Sequence, residues 1–345
     1  MKRLLVIFTG GTIASGFDGS GKAPMAGASV KLRDSLNELL SERGVEAVIR
    51  HPLGEPGIDS SEMDPGYWLQ ISRCIADELR RGLMGVLILH GTDTMANTAA
   101  WLSLCFGGLP IPVVLTGSQL TLDYMPEDVT SNLRGAAMAC CSDLRGVWVY
   151  FNWKLIPGDR AHKAHAMHPD AFSAVNGQPL FFNPDWALET SQITDRNADD
   201  SHLPPQTSRM FWLTPEELRR RCEGVRWFLA MPGAHPRWSG SERIVCLLGY
   251  GAGNIMPGAI DSLKQSFKEG TKPLVVACSQ AEGGVKHPDG YDRVGMAGLA
   301  SAGFRVWNQM DRSVEFVHSL CCYALAVAPD DPGTVLGRYL RECRL

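Results

Sequence analysis

The sequence predicts an α/β protein with two domains: a larger N-terminal domain built on a doubly wound parallel sheet, and a smaller C-terminal α/β domain. Runs of four or five apolar residues recur along the chain, as expected of strands buried on both faces. Helical patterns separate these runs, which is the order of βαβ units. A polar stretch near residue 200 divides one such pattern from a second.

Strands and helices alternate through the first half of the chain. Asp64-Pro65 predicts the start of a helix that runs to about Arg81, because aspartate is a favoured N-cap and proline suits the first helical position. The other predicted elements, in order, are a strand at 4–8, a helix near Lys31 to Arg43, a strand at 86–89, a helix near Asn97 to Phe106, a strand at Pro112 to Thr116, a helix near Ser131 to Ser142 and a strand at Gly146 to Phe151.

The middle of the chain changes character. Residues 195–210 are rich in charged and polar side chains and contain Pro204-Pro205, which predicts an exposed linker. We therefore expect a catalytic domain at 1–195, a linker at 196–223 and a C-terminal domain at 224–345. The last part has predicted strands at Trp227 to Met231, Ile244 to Leu248 and Pro273 to Ala277, and helices near Pro257 to Glu269, Met296 to Ala302 and Val314 to Val327.

Composition excludes several functional classes. The net charge of −4 gives no sign of a nucleic-acid surface, and no apolar stretch approaches the length of a membrane span. The apolar run at 4–8 is too short for a signal peptide. Ten cysteines occur, scattered or adjacent in apolar contexts, so we expect buried reduced thiols rather than a disulfide scaffold. No metal-ligand spacing is present, and we expect neither metal nor cofactor.

Two Gly-Thr turns follow predicted strands. Thr9-Gly10-Gly11-Thr12-Ile13 comes after the first strand, and His90-Gly91-Thr92-Asp93-Thr94-Met95 comes after the strand at 86–89. Open α/β sheets bind ligands at the carboxyl ends of their strands. Each turn presents a threonine hydroxyl there, so the pattern indicates nucleophilic chemistry by Thr12, Thr92 or both, although ordinary turn chemistry would also explain each turn alone.

A threonine hydroxyl needs a base to act as a nucleophile at neutral pH. Because both threonines are internal, a lysine amine is the alternative to an N-terminal amine. Lys163, on a predicted loop after the strand ending at Phe151, is the candidate, and Asp93 could orient it or hold a substrate ammonium. We predict that Lys163 is partly buried and lies within hydrogen-bonding distance of Thr92 or Asp93.

These turns resemble the two signatures of the bacterial-type L-asparaginase family, the threonine amidohydrolases. The resemblance runs from Lys2 to about Ala328. It continues in the family's order at Asp59-Ser60-Ser61-Glu62-Met63, Val114-Leu115-Thr116-Gly117-Ser118-Gln119, Asn132-Leu133, Lys163-Ala164-His165, Asp170-Ala171-Phe172 and Tyr250-Gly251-Ala252-Gly253-Asn254. The version Asp59-Ser60-Ser61 and the expected lack of a secretory leader resemble the intracellular, type I branch, which implies a cytoplasmic enzyme.

The resemblance implies a role for each matched residue. Thr12 would be the nucleophile, and Thr92, Asp93 and Lys163 the second catalytic group. Ser60, with Asp59 and Ser61 beside it, would bind the substrate α-carboxylate, and Asp93 the α-ammonium. The backbone near Thr92 and Ser118 would hold the amide and its oxyanion. Asn254 would reach the site of a neighbouring subunit in a homodimer or dimer of dimers; a turn asparagine in left-handed geometry is the alternative for this residue.

One departure from the family pattern concerns the helper for Thr12. The loop at 16–25 usually supplies a tyrosine, and here it contains none. Lys22 stands at the aligned position, whereas Tyr291, in Asp289-Gly290-Tyr291-Asp292, falls one residue from the register of a later tyrosine loop. We favour Tyr291 over Lys22, since a neutral phenol can relay a proton and an exposed lysine stays charged; a water is the third option.

The resemblance thus predicts hydrolysis of L-asparagine to L-aspartate and ammonia through an acyl-threonine intermediate, with L-glutamine as a possible further substrate. One alternative is the ammonia-generating subunit of a glutamyl-tRNA amidotransferase, although its extra domain would precede the first signature and this chain starts its first strand at Leu4. Another is a weakly active amino-acid-binding homologue, which the missing tyrosine favours and the full set of Thr12, Thr92, Asp93 and Lys163 disfavours.

Overall fold

The computed structural model describes residues 2–11, 15–17, 22–24, 26–121, 127–183, 207–267, 271–281 and 294–343. The chain divides into two compact units, Met1–Pro215 and Glu216–Leu345. The strands of the first unit are β1 (Lys2–Phe8), β2 (Ser15–Phe17), β3 (Lys22–Pro24), β4 (Val45–Arg50), β5 (Gly85–Leu89), β6 (Pro112–Thr116), β7 (Gly146–Phe151), β8 (Lys154–Pro157), β9 (Ala161–Lys163), β10 (Phe172–Ala174) and β11 (Leu180–Phe181). Its helices are α1 (Ala26–Ser41), α2 (Pro65–Leu79), α3 (Met95–Phe106), α4 (Val129–Cys140) and α5 (Thr207–Met210), and α6 (Pro215–Cys222) spans the boundary.

A seven-stranded sheet in the order β11-β8-β7-β6-β5-β1-β4 organises the first unit. Five neighbouring strands are parallel, namely β7, β6, β5, β1 and β4, while β8 and β11 join antiparallel at one edge. Every residue of β5 is buried, because helices cover both faces and a two-sided environment selects a continuous apolar run. This arrangement confirms the predicted doubly wound α/β class.

The helices are placed by the alternation of side chains along each strand. Leu4, Val6 and Phe8 of β1 form one core with side chains of α1 and α4, such as Leu36 and Leu133. The intervening strand residues point to the opposite face, where α2 and α3 pack against the sheet. Asp64 caps α2 by accepting a hydrogen bond from the amide of Tyr67, so this predicted helix start is confirmed.

The second unit has its own sheet and core. Its strands are β12 (Val225–Leu229), β13 (Ile244–Gly249), β14 (Leu274–Ser279), β15 (Val306–Asn308) and β16 (Arg341–Glu342), paired in that order with only β16 antiparallel. The helices are α7 (Pro257–Ser266), α8 (Met296–Ser301), α9 (Val314–Val327) and α10 (Pro332–Tyr339). This smaller α/β unit agrees with the predicted second domain.

The expected linker at 196–223 is partly folded. Residues 196–206 lie outside the described residues, but α5 and α6 occupy much of the remainder, and Met210 and Leu218 are fully buried. The guanidinium of Arg73 donates to the carbonyls of Phe211 and Leu213, which fixes this segment to α2. An exposed linker is therefore wrong for 207–222. Glutamates in the first turn of α6 and arginines in its last turn suit the helix dipole and were the missed signal.

The cysteines agree with the expectation of buried thiols. All ten cysteines are within the described residues; none of them forms a disulfide, and seven are buried. Burial raises the pKa of the Cys74 thiol to about 11 and holds that of Cys140 well above its ordinary value, which favours the neutral thiol. Within the described ranges, no helix combines the length and apolar character needed to cross a bilayer.

A buried hydrogen-bond chain supports the turn that follows β5. The indole N–H of Trp68 donates to Thr98 Oγ1 at 3.0 Å, and Thr98 Oγ1 lies 2.9 Å from His90 Nε2. The Thr98 hydroxyl accepts from the indole and donates to Nε2, because Nε2 is the unprotonated nitrogen of the ring. His90 Nδ1 lies 2.7 Å from the carbonyl oxygen of Gly91, so Nδ1 carries the ring proton. The chain thus fixes a neutral imidazole and orients the Gly91 peptide.

We expect acid to destabilise the protein through His90. Complete burial lowers the pKa of His90 from 6.5 to about 4, although the bond to Gly91 opposes this. As pH falls below 6.5, the unfolded chain takes up a proton that folded His90 refuses until about pH 4. The free energy of unfolding should therefore fall by up to about 3 kcal/mol across this window.

Urea denaturation at several pH values between 7 and 4 measures this effect. His90→Gln should lower stability at pH 7, because it breaks the buried chain, yet show a shallower decline toward acid. His235→Gln, which changes an exposed histidine, should follow the wild type at every pH. Equal slopes for wild type and His90→Gln would show that His90 does not carry the acid sensitivity.

Candidate active site

Three loops meet in backbone contact at the carboxyl ends of β1 and β5. A Cβ added to Gly11, whose φ is +84°, would lie 2.3 Å from the Cα of Gly91. A Cβ added to Gly91 would lie 2.4 Å from Ser60 Oγ. The amide of Ile58 donates to the carbonyl of Thr9 at 2.8 Å. Glycine is therefore required at these positions so that the segments can approach each other. Their approach brings together the residues just before Thr12, the segment that contains Ser60, and the residues just before Thr92.

Lys163 joins the two polar groups that follow Gly91. Its Nζ donates to Thr92 Oγ1 at 2.9 Å and to Asp93 Oδ1 at 2.6 Å. The Lys163 side chain is 17% exposed and that of Asp93 is 61% exposed, whereas Thr92 is buried. The predicted contact and partial burial of Lys163 are confirmed. The arrangement places an ammonium against a hydroxyl, with a carboxylate that still faces solvent.

Lys163 lies at the end of a strand and not on the predicted loop. β9 and β10 form an antiparallel pair in which Lys163 is opposite Phe172. Beyond the strand, the amides of Ala164 and His165 both donate to the carbonyl of Ala171. Three residues were too few to show an alternating pattern in the sequence, which is why this strand was missed. The hairpin fixes the backbone from which Lys163 reaches the turn after β5.

Gln119 is a site residue to which sequence reasoning assigned no role. Its Oε1 accepts from Thr92 Oγ1 at 3.1 Å, and its Nε2 lies 3.0 Å from Ala166 O and 3.3 Å from His168 O. Gln119 follows β6, at the same sheet edge as Thr92. Its position two residues after Gly117, in the motif already quoted, was the available signal.

Asp128 and Asn132 hold the turn that carries Gln119. The Asp128 carboxylate accepts from the amides of Gln119 and Leu120, each at 2.9 Å. Asn132, on α4, donates to the carbonyl of Gly117 and to Asp128. Burial raises the pKa of Asp128, and the two amide hydrogen bonds oppose this shift. The turn is thus held by Asn132 of α4 and by Asp128, the residue immediately before that helix.

The three residues of the Asp59-Ser60-Ser61 segment have different surroundings. Asp59 Oδ1 accepts from both the amide and the hydroxyl of Ser61 at 2.8 Å, so these two side chains hold each other. Ser60 is buried beside Gly91, and its carbonyl accepts from Thr94 Oγ1 at 2.6 Å. This places the serine expected to bind a substrate carboxylate directly beside the Thr92 turn.

Ser118 is fully buried after β6, and its Oγ has no hydrogen-bond partner among the described residues. The carbonyl of His90 would lie 2.3 Å from a Cβ on the preceding Gly117, so the two turns are in close contact. The structure thus brings Ser60, Thr92, Asp93, Ser118 and Lys163 to one edge of the sheet.

Other expected site residues fall elsewhere. Asn254 belongs to the second unit, where its amide and carbonyl both bond to Tyr250. The positive φ angles of that turn belong to Gly251 and Gly253, so left-handed geometry does not explain the asparagine. Thr12 and Tyr291 lie outside the described residues, as does the side chain of Lys22 in β3. Among described residues, no group of three His, Cys, Asp or Glu side chains is arranged to hold a metal ion.

Comparisons with known proteins agree with this geometry. Residues 3–191 match the family described as Asparaginase, N-terminal. The chain is 30% identical over 296 residues to an L-asparaginase of Thermococcus kodakarensis, with 82% of each chain covered. It is 34% identical over 187 residues to a glutamyl-tRNA(Gln) amidotransferase component of Methanosphaera stadtmanae, covering 52% of this chain and 41% of that one. The crystal structure of L-asparaginase I from Vibrio cholerae gives a TM-score of 0.72 at 27% identity, with 99% of this chain and 98% of that chain covered. The chain therefore belongs to the asparaginase family.

Proposed function

We propose that the protein hydrolyses L-asparagine to L-aspartate and ammonia. The observation that carries the proposal is the contact of Lys163 with both Thr92 and Asp93 in a chain of the asparaginase family. The relatives named L-asparaginase support the reaction. A small zwitterionic substrate requires fixed groups of both signs and a way to activate a hydroxyl, and this sheet edge offers both.

The proposed reaction has two steps. Thr12 attacks the side-chain amide carbon of asparagine, and the C–N bond breaks with a proton delivered to the leaving ammonia. Water then attacks the acyl-threonine ester and releases aspartate, with Thr92, Asp93 and Lys163 handling its proton. Backbone amides near Thr92 and Ser118 stabilise the oxyanion in each step. Tyr291 is our preferred helper for Thr12, ahead of Lys22.

The same proposal assigns the binding of the substrate backbone. Ser60, supported by the Asp59–Ser61 pair, binds the α-carboxylate. Asp93 binds the α-ammonium, and its exposed carboxylate supports this assignment because only one oxygen is engaged by Lys163. We further propose a cytoplasmic homodimer or dimer of dimers, in which Asn254 contributes to the site of a neighbouring subunit.

A second candidate function is ammonia production for a glutamyl-tRNA amidotransferase. The match to the amidotransferase component favours it, although this chain spans less than half of that relative. Ammonia release with L-asparagine, L-glutamine and D-asparagine as separate substrates distinguishes the candidates. Release from L-asparagine supports the asparaginase, release from L-glutamine alone supports the second candidate, and binding of amino acids without release supports a weakly active binding homologue.

Substitution of the two threonines tests their roles. We expect Thr12→Val and Thr92→Val each to lower turnover by about 10³-fold or more, a loss of about 4 kcal/mol of transition-state stabilisation. Both variants should stay folded by circular dichroism, and Thr130→Val, on the exposed side of α4, should keep wild-type turnover. Near-wild-type turnover in folded Thr12→Val would remove Thr12 from the mechanism and leave Thr92 as the nucleophile.

Lys163→Met tests the base. The substitution keeps the unbranched side chain up to the ε position but removes the amine, so turnover should fall by at least about 10²-fold, as expected for a proton-transfer group. The melting temperature should change little, since the Asp93 carboxylate is 61% exposed and an ion pair that is screened by solvent stabilises a fold weakly. Lys31→Met, which changes an exposed lysine of α1, is the matched control. Full activity of Lys163→Met would show that the contacts of Lys163 with Thr92 and Asp93 are structural and that Lys163 is not the base.

A further inference from the structure

Gln119 is the remaining partner of the Thr92 hydroxyl, and the orientation of its amide is determined by its other contacts. Ala166 O and His168 O are carbonyl acceptors, so the NH₂ group of Gln119 must face them. The amide oxygen then faces Thr92 Oγ1, at 3.1 Å. Because the ammonium of Lys163 donates to the same hydroxyl, the single Thr92 proton points to Gln119.

This arrangement is not the one in which Lys163 can accept a proton. The Thr92 oxygen receives a hydrogen bond from Lys163, while its proton is directed to an amide oxygen that cannot take it. For Lys163 to act as a base, the ammonium must lose a proton and the Thr92 O–H must turn from Gln119 Oε1 to Lys163 Nζ. That rotation breaks the Thr92–Gln119 hydrogen bond.

We propose that Gln119 is a positioning residue that holds the Thr92 proton away from Lys163 and thereby stabilises the charged, resting form of the lysine. The inference rests on the proposed function for its effect on turnover. Gln119 also ties Thr92 to residues 166–168, immediately beyond the strand that carries Lys163. It thus sets both the direction of the hydroxyl and the spacing between the two groups.

The groups around Lys163 define what else could titrate with it. Asp93 is the carboxylate in contact with the ammonium. Among the described elements, α3 and β10 pack most closely against β9, and neither carries an Asp, Glu, Lys, Arg or His side chain, although α3 contains Cys105. The other titratable residues on β9, on the segment after it and behind Gln119 are His162, His165, His168, Asp170 and Asp128. None of these is changed in the experiment.

Two substitutions of Gln119 should move the pH profile in opposite directions. Gln119→Met removes the acceptor, so the resting form loses one hydrogen bond and the rise of kcat with pH should shift toward acid by about one pH unit. Gln119→Glu loses the two hydrogen bonds to the carbonyls of Ala166 and His168, but it keeps an acceptor for the Thr92 hydroxyl and adds a negative charge near the ammonium, so the rise should shift toward alkali by at least about one pH unit. KM should change by less than about threefold in Gln119→Met, while its plateau kcat falls several-fold because Thr92 is less well held.

Thr116→Val provides the matched control. Thr116 is a fully buried residue of β6 whose hydroxyl donates to Tyr150 O. Its loss should lower stability and leave the pH profile in place. If Gln119→Met does not fold, Gln119→Ala also removes the acceptor. If the Gln119 variants show a lower plateau kcat while the pH at which kcat rises stays unchanged, Gln119 has a structural role only, and the proposal is overturned.

A measurement independent of turnover separates this inference from the proposed function. Acetylation of Lys163 by trace acetic anhydride, quantified by mass spectrometry across pH, reports how readily the amine becomes uncharged. The half-reaction pH should move toward acid in Gln119→Met and toward alkali in Gln119→Glu. If the wild type releases no ammonia, the proposed function fails while this titration still tests Gln119; an unchanged half-reaction pH in both variants would overturn the inference.

Discussion

The site depends on the contact between the backbones of Gly11 and Gly91. No side chain separates the loop after β1 from the loop after β5, because even one methyl group on Gly11 would overlap the Gly91 Cα. Ser60, the first residue of a short 3-10 helix at Ser60–Glu62, contacts Gly91 from a third segment of the chain. The parallel pairing of β1 with β5 holds the backbones of Gly11 and Gly91 at this spacing. The sheet therefore determines the distance between the segments that carry the candidate groups.

Neutral and charged interactions serve different purposes around this contact. The Trp68–Thr98–His90 chain is buried and uncharged, and it orients the Gly91 peptide without the desolvation cost of a buried ion. In the Lys163–Asp93 pair the carboxylate is open to solvent, which screens the ion pair and limits its contribution to the stability of the fold to about 1 kcal/mol. The rigidity of the turn therefore arises from the core, and the charges remain available to a ligand.

Sequence patterns predicted much of this structure. The buried strands β1, β5, β6 and β7 were evident because burial on both faces selects unbroken apolar runs. The contact of Lys163 with Thr92 and Asp93 was predicted as well. β4 was missed, since Glu46 interrupts the run Val45–Arg50 at the edge of the sheet. The α5 and α6 segment was mistaken for a linker, because the Arg73 contacts that fix it come from residues far away in sequence.

The role of Gln119 could not be predicted from its own neighbourhood. A glutamine after a strand is compatible with solvent, a turn or a ligand, and only the two carbonyls at 166 and 168 determine how its amide is oriented. These carbonyls lie 47 and 49 residues further along the chain. The contact is specified by tertiary structure, which a local pattern does not contain.

The separation of the candidate groups along the chain also orders events during synthesis. Thr92 and Lys163 are 71 residues apart, and β6, α4 and β7 lie between them. At roughly 5–20 residues per second, the ribosome adds this interval in about 4–14 s. The nascent chain can therefore assemble the sheet beneath Gly91 before the lysine emerges, so the Thr92 hydroxyl acquires its charged neighbour only after the sheet that supports it has formed.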